Sequence, residues 1–304
     1  MTIPPYIQIA GRPALYDRLN QAVKRIAPAW FIRLGAAFLA YPRRVRNARR
    51  FRRQMAKVLP PQSRSSFETM YADALRRWAV GPAEKEQARV TLPVSGGGRQ
   101  IELRVGTSDI LAYADIILHE QYAAPVAPPV SFVLDAGANV GITAAYLLDR
   151  FPDARLVALE PDPINAALCR SNLTQFGSRA TVLQAALTPT PTRVRMRAAL
   201  QGTWAASIDE DPNGEIEGID VASLCARFGV EQIDILKIDI EGAELELFSH
   251  PDRTWLARVR TVLVELESAA SEAAFFSALS TQPFRYARYG EITAATRVGE
   301  RGDH

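Results

Sequence analysis

The chain has 304 residues, a hydrophobic content of 48% and a formal net charge of +3, as expected of a protein with a sizeable core. Its two cysteines, Cys169 and Cys225, are far apart and outside any CxxC spacing, which argues against a disulfide framework or a thiolate metal site. No run reaches the roughly 18 apolar residues that cross a bilayer, and the start lacks the pattern of a secretory signal, so we expect a cytoplasmic protein.

The charge is divided unevenly along the chain. Residues 1–67 carry 14 Lys and Arg and one acidic residue, Asp17, whereas the remainder has a net charge of −10. Residues 12–58 have a helical pattern, which is followed by a linker over Leu59–Ser66 and a helix over Phe67–Val80. We therefore predict a basic helical N-terminal region over residues 1–85 and a second domain over residues 86–304.

The second domain opens with the segment VTLPVSGGGRQIELRV, which predicts a β-hairpin. Ile101, Leu103 and Val105 alternate with polar residues, and three consecutive glycines mark the turn. Ser108 is placed to N-cap a helix that extends to about Glu120. We assign this hairpin and helix to residues 88–125 and the core of the domain to residues 130–304.

From Val130 onwards, strand and helix patterns alternate. The segments SFVLDAG, RLVALEP, TVLQAAL, IDILKIDI and TVLVELE read as strands, with helical patterns between them, and FRYARYGEITAATRV reads as a terminal antiparallel pair. This order predicts an α/β fold with a mostly parallel, doubly wound sheet and an antiparallel terminal strand. Ligands bind such sheets beyond the carboxyl ends of the strands.

The segment LDAGANVG, Leu134–Gly141, follows the first strand of the core and opens a helix. Its glycines allow a tight turn and close approach of a ligand, but the spacing is not the GxGxxG of dinucleotide-binding proteins. Asp135 at the strand end would repel a pyrophosphate and attract a cationic ligand. The segment therefore favours a sulfonium amino acid over NAD, although a simple glycine-rich turn is the alternative.

The next two strand ends carry further candidates. Glu160 ends the second strand, 25 residues beyond Asp135, where an acid can hold the two hydroxyls of a ribose. Gln184 and Ala185 end the third strand, where a polar side chain and a backbone amide can read an adenine edge. The alternative for Gln184 is a solvated strand end.

Together these segments resemble the class I S-adenosylmethionine-dependent methyltransferases and, more narrowly, the FkbM family. The resemblance rests on four segments in order: RVGTSDILAYADIILHEQY, VLDAGANVGITAAYLL, LVALEPDPINAALCRSN and DILKIDIEGAE. It implies a Rossmann-like fold and methylation of hydroxyls, often on sugars or secondary metabolites. S-adenosylmethionine is the implied cofactor.

The resemblance also implies roles for particular residues. The residues that it places at the cofactor are Asp135, Gly137, Ala138, Asn139, Gly141, Glu160, Pro161, Gln184, Ala185 and Asp109. Asp109 belongs to the upstream segment Thr107–Asp109, which is expected to cover the cofactor together with the helix that follows and Tyr122. A structural turn with an N-cap is the alternative for this segment.

The segment LKIDIEGAE, Leu236–Glu244, ends the fourth strand with several charges. Strand alternation places Lys237, Asp239 and Glu241 on one side, so that they converge at the rim that faces the transferable methyl group. We expect Asp239 to be the base or to position the acceptor hydroxyl, Lys237 to orient it or stabilise the oxyanion, and Glu241 to hold the acceptor or a divalent ion. A Lys237–Asp239 pair that braces the turn is the alternative. No metal ligands are assigned, although a carboxylate-bound Mg²⁺ is left open.

The N-terminal region contains a dense basic segment beside an aromatic one. Its basic residues are Arg43, Arg44, Arg46, Arg49, Arg50, Arg52, Arg53 and Lys57, and its aromatic residues are Trp30, Phe31, Phe38 and Tyr41. This composition fits an interfacial anchor that brings the protein to an anionic membrane, which would place it peripherally on the inner face. Nucleic-acid binding has no recognition motif to support it, and a helical cap or a homodimer element is the remaining alternative.

Three functions are compatible with these features. The first is O-methylation of a hydroxyl on a saccharide, glycolipid or secondary metabolite by an S-adenosylmethionine-dependent enzyme. The second is an RNA methyltransferase that uses the basic arm, and the third is a non-catalytic cofactor-binding or scaffold domain. The presence of Asp135, Glu160 and Asp239 argues against the third.

Overall fold

A computed structural model describes residues 48–80, 86, 88–95, 98–196 and 208–298. The helical pattern predicted over residues 12–58 therefore lies outside the described residues as far as position 47. Among the described helices, none combines the length and apolar character needed to cross a membrane.

Within the described residues, two helices precede the hairpin, α1 (Ala48–Val58) and α2 (Pro61–Val80). The predicted linker over Leu59–Ser66 is wrong, because α2 begins already at Pro61, and proline fits the first turn of a helix. Met55 and Phe67 pack into the same core as the downstream domain. The division of the chain at residue 85 stays a prediction.

The β-hairpin and a helical segment come next along the chain. Strands β1 (Ala88–Pro93) and β2 (Gln100–Val105) pair antiparallel, as predicted. Helix α3 (Asp109–Tyr113) then continues as a π-helical turn over Ala114–Leu118. Ser108 occupies the predicted N-cap position of α3, but its side chain makes no cap hydrogen bond. The Thr107 hydroxyl accepts from the Asp109 amide at 3.2 Å instead.

The remaining elements alternate largely as the sequence predicts. In chain order they are β3 (Phe132–Ala136), α4 (Ile142–Arg150), β4 (Arg155–Leu159), α5 (Pro163–Leu173), β5 (Ala180–Leu183), β6 (Ala185–Leu187), β7 (Thr192–Met196), β8 (Ile208–Glu210), β9 (Ile216–Ile219), α6 (Val221–Phe228), β10 (Ile233–Ile238), α7 (Glu244–Ser249), β11 (Val259–Glu265), α8 (Ala269–Leu279), β12 (Phe284–Tyr289) and β13 (Ile292–Arg297). Short 3₁₀ turns follow α5, over Thr174–Arg179, and precede β11, over Thr254–Arg258.

The central sheet has the predicted mostly parallel architecture. Its described strands lie in the order β12-β13-β11-β10-β3-β4-β5, and the five from β11 to β5 are parallel. Strands β13 and β12 run antiparallel at one edge, which confirms the predicted terminal pair. Consecutive residues of β3 face opposite cores, since Val133 packs in one cluster and Leu134 in the other. The sheet is therefore covered on both faces, as in a doubly wound fold.

A second, smaller sheet was not predicted. Strands β6, β9, β7 and β8 form it in that order. The segment TVLQAAL, read as one strand, breaks at Gln184, so that β5 stays in the central sheet and β6 joins the smaller one. Strands β7 and β8 are short, and the alternation in them is too brief to identify from sequence.

The strand order places a crevice between β3 and β10. The chain winds from β3 through β4 to β5 in one direction and resumes with β10 and β11 on the other side of β3. The connections that follow β3 and β10 therefore run in opposite directions from the carboxyl ends of these two strands. This leaves a crevice between them in which a ligand can bind.

The turn after β3 approaches the end of β10 very closely at Gly137. This glycine has a φ of +76°, and a Cβ built on it would lie 1.7 Å from the carbonyl oxygen of Asp239. A side chain cannot be accommodated there unless the backbone of one of the two turns moves. The missing side chain at Gly137 therefore sets how closely the two strand ends can approach.

We expect Gly137→Ala to lower the free energy of unfolding by more than about 4 kcal/mol, because strain and a backbone clash add together. The matched control is Gly229→Ala, whose φ is also positive, at +61° with ψ at +43°, but whose Cβ would meet nothing within 4 Å. The control should lose only about 1–2 kcal/mol of unfolding free energy, which is the cost of the left-handed backbone conformation for alanine. Urea unfolding measures both, and equal losses would contradict the close-approach argument.

Candidate functional site

A cleft lies at the carboxyl ends of β3, β4 and β10. Its lining contains seven of the residues that the sequence predicted, namely Gly137, Asn139, Glu160, Pro161, Ala185, Asp239 and Glu241. It also contains residues that the sequence analysis missed, which are Asp162, Asn165, Ala186, Leu187, Met196, Ile208 and Ile240.

The glycine turn is held by hydrogen bonds within the protein. The amides of Gly137 and Ala138 both donate to the Leu159 carbonyl, at 3.0 and 2.9 Å, and the amide of Gly141 donates to the Ala138 carbonyl at 2.8 Å. Ala138 and Gly141 therefore shape the turn and do not line the cleft. Since these amides are already engaged, they do not form the amide nest that binds a pyrophosphate.

Glu160 joins the turn to the end of β4. Its Oε2 accepts from the Asn139 amide at 2.7 Å, and its Oε1 accepts from the Asp162 amide at 2.9 Å. Burial raises the pKa of Glu160 to about 7, although both amide hydrogen bonds lower it. Each carboxylate oxygen keeps a second lone pair, so Glu160 can accept two further hydrogen bonds from a ligand in the cleft.

Lys237 and Asp135 form a buried ion pair behind the cleft. The register of β10 and β3 places them side by side, and Lys237 Nζ lies 3.1 Å from Asp135 Oδ1. That contact lacks hydrogen-bond alignment, and neither Asp135 oxygen has a hydrogen-bond partner among the described atoms. Lys237 Nζ also donates to the carbonyls of Gly137 at 2.6 Å and Ala136 at 3.3 Å.

The electrostatics of this pair follow from its burial. Burial raises the pKa of Asp135, and Lys237 partly offsets the effect. Burial also opposes the charge of Lys237, yet the negative charges of Asp135 and Asp239 raise the pKa of Lys237 above its ordinary value. Lys237 is therefore an ammonium that joins the strand ends. Its predicted position at the rim, facing the acceptor, is wrong because its side chain is 2% exposed.

The end of β10 departs from the predicted alternation. The strand ends at Ile238, and Glu241 adopts a left-handed conformation with φ at +53°. Glu244 holds this turn by accepting from the amides of Ile240 and Gly242, at 2.8 and 2.9 Å. Asp239 nevertheless lines the cleft, with Oδ2 at 3.7 Å from Lys237 Nζ and a side chain that is 29% exposed.

Besides Asp135, Ala138 and Gly141, two further residues predicted at the cofactor do not line the cleft. Gln184 is exposed at the break between β5 and β6 and does not line the cleft. Asp109 is buried in a two-pronged ion pair with Arg104, with both side-chain contacts at 2.9 Å, and it also accepts from the Arg104 amide. Because its acceptor atoms are used within the fold, Asp109 braces the hairpin against α3 and does not contact the cleft.

The described residues contain no group of three or more His, Cys, Asp and Glu side chains arranged to hold a metal ion. The Mg²⁺ that the sequence analysis left open therefore gains no support from this part of the chain. No catalytic role is assigned to a metal.

Residues 135–282 match the family model described as the methyltransferase FkbM domain. The chain is 28% identical over 189 residues to methyltransferase sdnD of Sordaria araneosa, covering 50% of this chain and 73% of that protein. It is 26% identical over 167 residues to 2-O-methyltransferase NoeI of Sinorhizobium fredii, covering 49% of this chain and 68% of that protein.

Among solved structures, the precorrin-6y C5,15-methyltransferase of Geobacter metallireducens is similar to 56% of this chain. The match covers 81% of that protein, with 14% identity and a TM-score of 0.35.

We expect Lys237→Met to lower the free energy of unfolding by about 3–5 kcal/mol, because it leaves the charge of Asp135 buried without a counter-charge. The double variant Lys237→Met with Asp135→Asn should recover at least half of that loss, since it removes the uncompensated charge. Urea unfolding at neutral pH compares the two. If the double variant is less stable than the single one, the ion pair does not hold the strand ends together.

Proposed function

We propose that this chain transfers a methyl group from S-adenosylmethionine to a hydroxyl, because residues 135–282 match the model of the methyltransferase FkbM domain and its relatives are named methyltransferases. The proposed acceptor is a saccharide, glycolipid or secondary metabolite. The observation that carries the proposal is one cleft at the strand-order reversal, with Glu160 on one side and Asp239 on the other.

The residues of the cleft suit the proposed cofactor. Glu160 offers two acceptor positions for a pair of ribose hydroxyls, and the buried Oδ1 of Asn139 has no partner within the described structure, so it offers another. Gly137 leaves the space that a side chain would fill. Because the amides of the glycine turn are engaged, the cleft suits a nucleoside with a cationic tail better than a pyrophosphate. When bound, S-adenosylmethionine supplies an electrophilic methyl group.

Asp239 is the residue that we propose to take the proton of the acceptor hydroxyl. A hydroxyl is a poor nucleophile while protonated, so a carboxylate within reach accelerates its reaction. Lys237 is a positioning residue in this scheme, because its ammonium lies 3.7 Å from Asp239 Oδ2 and holds that carboxylate at the edge of the cleft. Burial raises the pKa of Glu241 well above its ordinary value, and the charge of Asp239 adds to the effect, so Glu241 is the weaker candidate for the base.

The relatives support a hydroxyl as acceptor. NoeI is named a 2-O-methyltransferase, and its match covers 49% of this chain. The RNA methyltransferase and the scaffold domain remain the competing proposals. RNA methylation would require the basic N-terminal arm to bind a polyanion, and a scaffold domain would bind cofactor without turnover.

We also propose a peripheral membrane location, which rests on the orientation of α1. Met55 and Leu59 face the core, whereas Arg52, Arg53 and Lys57 are exposed. A basic helix face that does not pack against the apolar core can contact an anionic membrane surface. Homodimer formation stays a prediction from sequence.

We expect S-adenosylhomocysteine to bind more tightly as the pH rises from 6 to 8. The carboxylate form of Glu160 accepts hydroxyl hydrogen bonds, and burial raises its pKa to about 7 in the free protein, so affinity should fall below that pH. Isothermal titration calorimetry measures the dissociation constant at each pH, with NAD as the ligand that should not bind.

In the same titration, Glu160→Gln should bind about 10- to 100-fold more weakly and lose the pH dependence, because hydrogen bonds to a charged group are lost. The control is Glu210→Gln, at the exposed end of β8. Failure of well-folded protein to bind S-adenosylhomocysteine would contradict the proposed function.

We expect Asp239→Asn to keep its affinity for S-adenosylhomocysteine within about threefold but to lose about 10²- to 10⁴-fold in turnover, the usual contribution of a positioned base. Transfer of a labelled methyl group to a panel of hydroxylated glycans measures turnover. Glu246→Gln removes a nearby exposed charge on α7 and should leave turnover unchanged. Turnover above half of the unmodified level in Asp239→Asn would rule out Asp239 as the base.

A further inference from the structure

One side-chain amide connects the β-hairpin to the turn after β3. Asn172 lies in the last turn of α5, is 5% exposed and is the last residue of the segment LVALEPDPINAALCRSN. Its Nδ2 donates to the carbonyls of Glu102 at 3.0 Å and Val140 at 2.8 Å, and its Oδ1 accepts from the Glu102 amide at 2.8 Å. Because two carbonyls need donors and one amide needs an acceptor, these contacts fix the orientation of the Asn172 amide.

On the hairpin side, Asn172 and Gln175 take the place of a neighbouring strand. Glu102 and Gln100 are two positions apart on β2, so their backbone groups point from the same edge of the strand. The Oε1 of Gln175 accepts from the Gln100 amide at 3.2 Å, and its Nε2 donates to the Gln100 carbonyl. Within the described residues, β1 pairs with the other edge of β2. Two side-chain amides therefore attach the hairpin to α5 and the turn that follows it.

On the other side, Asn172 supports the residue before Val140. Asn139 has a φ of +48°, a left-handed conformation that few residues other than glycine adopt. Its amide donates to Glu160 Oε2 at 2.7 Å, and its Oδ1 is buried without a partner among the described residues, although the residue lines the cleft. Such a backbone conformation persists where the surrounding structure holds it. The hydrogen bond from Asn172 to the Val140 carbonyl is one of the contacts that hold it.

Helix α5 also supports the turn by close packing. A Cβ built on Gly141 would lie 3.0 Å from the Sγ of Cys169. Cys169 precedes Asn172 by three positions, so both side chains lie on the same face of the helix. The amides of the glycine turn are bound to the end of β4. Asn139 is therefore held between β4 on one side and α5 on the other.

We propose that Asn172 is a positioning residue for ribose recognition, because through the Val140 carbonyl it holds Asn139 beside Glu160. The proposal rests on the proposed function, in which Glu160 and Asn139 accept hydrogen bonds from the ribose hydroxyls of the cofactor. Without the donor on Asn172, the turn can move and the two acceptors no longer meet both hydroxyls. Recognition of the ribose hydroxyls is then lost, whereas the contacts of the rest of the cofactor are retained.

The test compares S-adenosylhomocysteine with its 2′-deoxyribose analogue by isothermal titration calorimetry on the full chain. We expect the unmodified protein to prefer the ribose form by about tenfold or more, the usual contribution of a hydrogen bond to a charged acceptor. Asn172→Leu is similar in size but has no hydrogen-bonding group, and it should reduce this preference to less than about threefold. The matched control is Gln175→Met, which frees the same edge of β2. It should retain the preference, because the described hydrogen bonds of Gln175 do not reach the turn.

A purely structural role of Asn172 would weaken the binding of both ligands by the same factor, and this result would overturn the proposal. An equal loss of preference in Gln175→Met would also overturn it, because the hairpin edge and not the turn would then be responsible. Asn172→Ala is the second variant if Asn172→Leu does not fold, and its preference should fall to the same extent. Failure of the unmodified chain to bind S-adenosylhomocysteine would contradict the proposed function. Binding without a preference for the ribose form would contradict the role of Asn172 alone.

Discussion

The ammonium of Lys237 is the interaction on which the rest of the site depends. It lies where β3 and β10 part, and it contacts the carbonyl of Gly137, the carboxylate of Asp135 and the carboxylate of Asp239. A buried charge is costly unless it is paired and hydrogen-bonded, so these groups must keep their positions once the chain has folded. One cation therefore fixes both the turn that borders the proposed cofactor side of the cleft and the carboxylate that is proposed to face the acceptor.

The same constraint explains why the cleft has its shape. The Lys237 ammonium draws the end of β10 towards the turn after β3, and this approach is possible because Gly137 has no side chain to meet the Asp239 carbonyl. The amide of Asn139 in this turn also donates a hydrogen bond to Glu160, which fixes the carboxylate at the end of β4. Three strand ends are thus connected by contacts within the protein, and these contacts hold the residues that line the cleft between them. A site that is formed in advance loses less entropy on binding.

The sequence identified the fold and the cofactor side of the cleft because those features have local signals. A glycine turn after an apolar strand and an acid after the next strand are visible as short patterns, and Gly137 and Glu160 do line the cleft. The predicted position of Lys237 was wrong because alternation along a strand shows only which face of the sheet a side chain is on. It does not show that the strand ends at Ile238 or that other residues cover that face. Met196 and Ile208 had no signal, since the small sheet that carries them consists of very short strands.

The predicted role of Asp109 at the cofactor also failed because its burial and its partner cannot be read from the sequence. Its partner Arg104 lies on the preceding strand, and a contact across a turn leaves no periodic pattern in the sequence. An acid in a motif looks functional until its counter-charge is located. Within the described structure this criterion separates the acids around the cleft into two kinds. Asp109 and Asp135 have buried cationic partners and maintain the fold, whereas Glu265 and Glu267 repel their neighbours.

That division of charge gives the cleft a direction. On the cofactor side, amides from the protein satisfy Glu160, so this side can accept neutral hydroxyls without an added charge. On the other side, Asp239 Oδ2 lies 3.7 Å from the Lys237 ammonium, and the side chain of Asp239 is 29% exposed and lines the cleft. In the proposed reaction this carboxylate meets the acceptor hydroxyl, so the group that would take the proton is held by the same ammonium that joins the two strand ends.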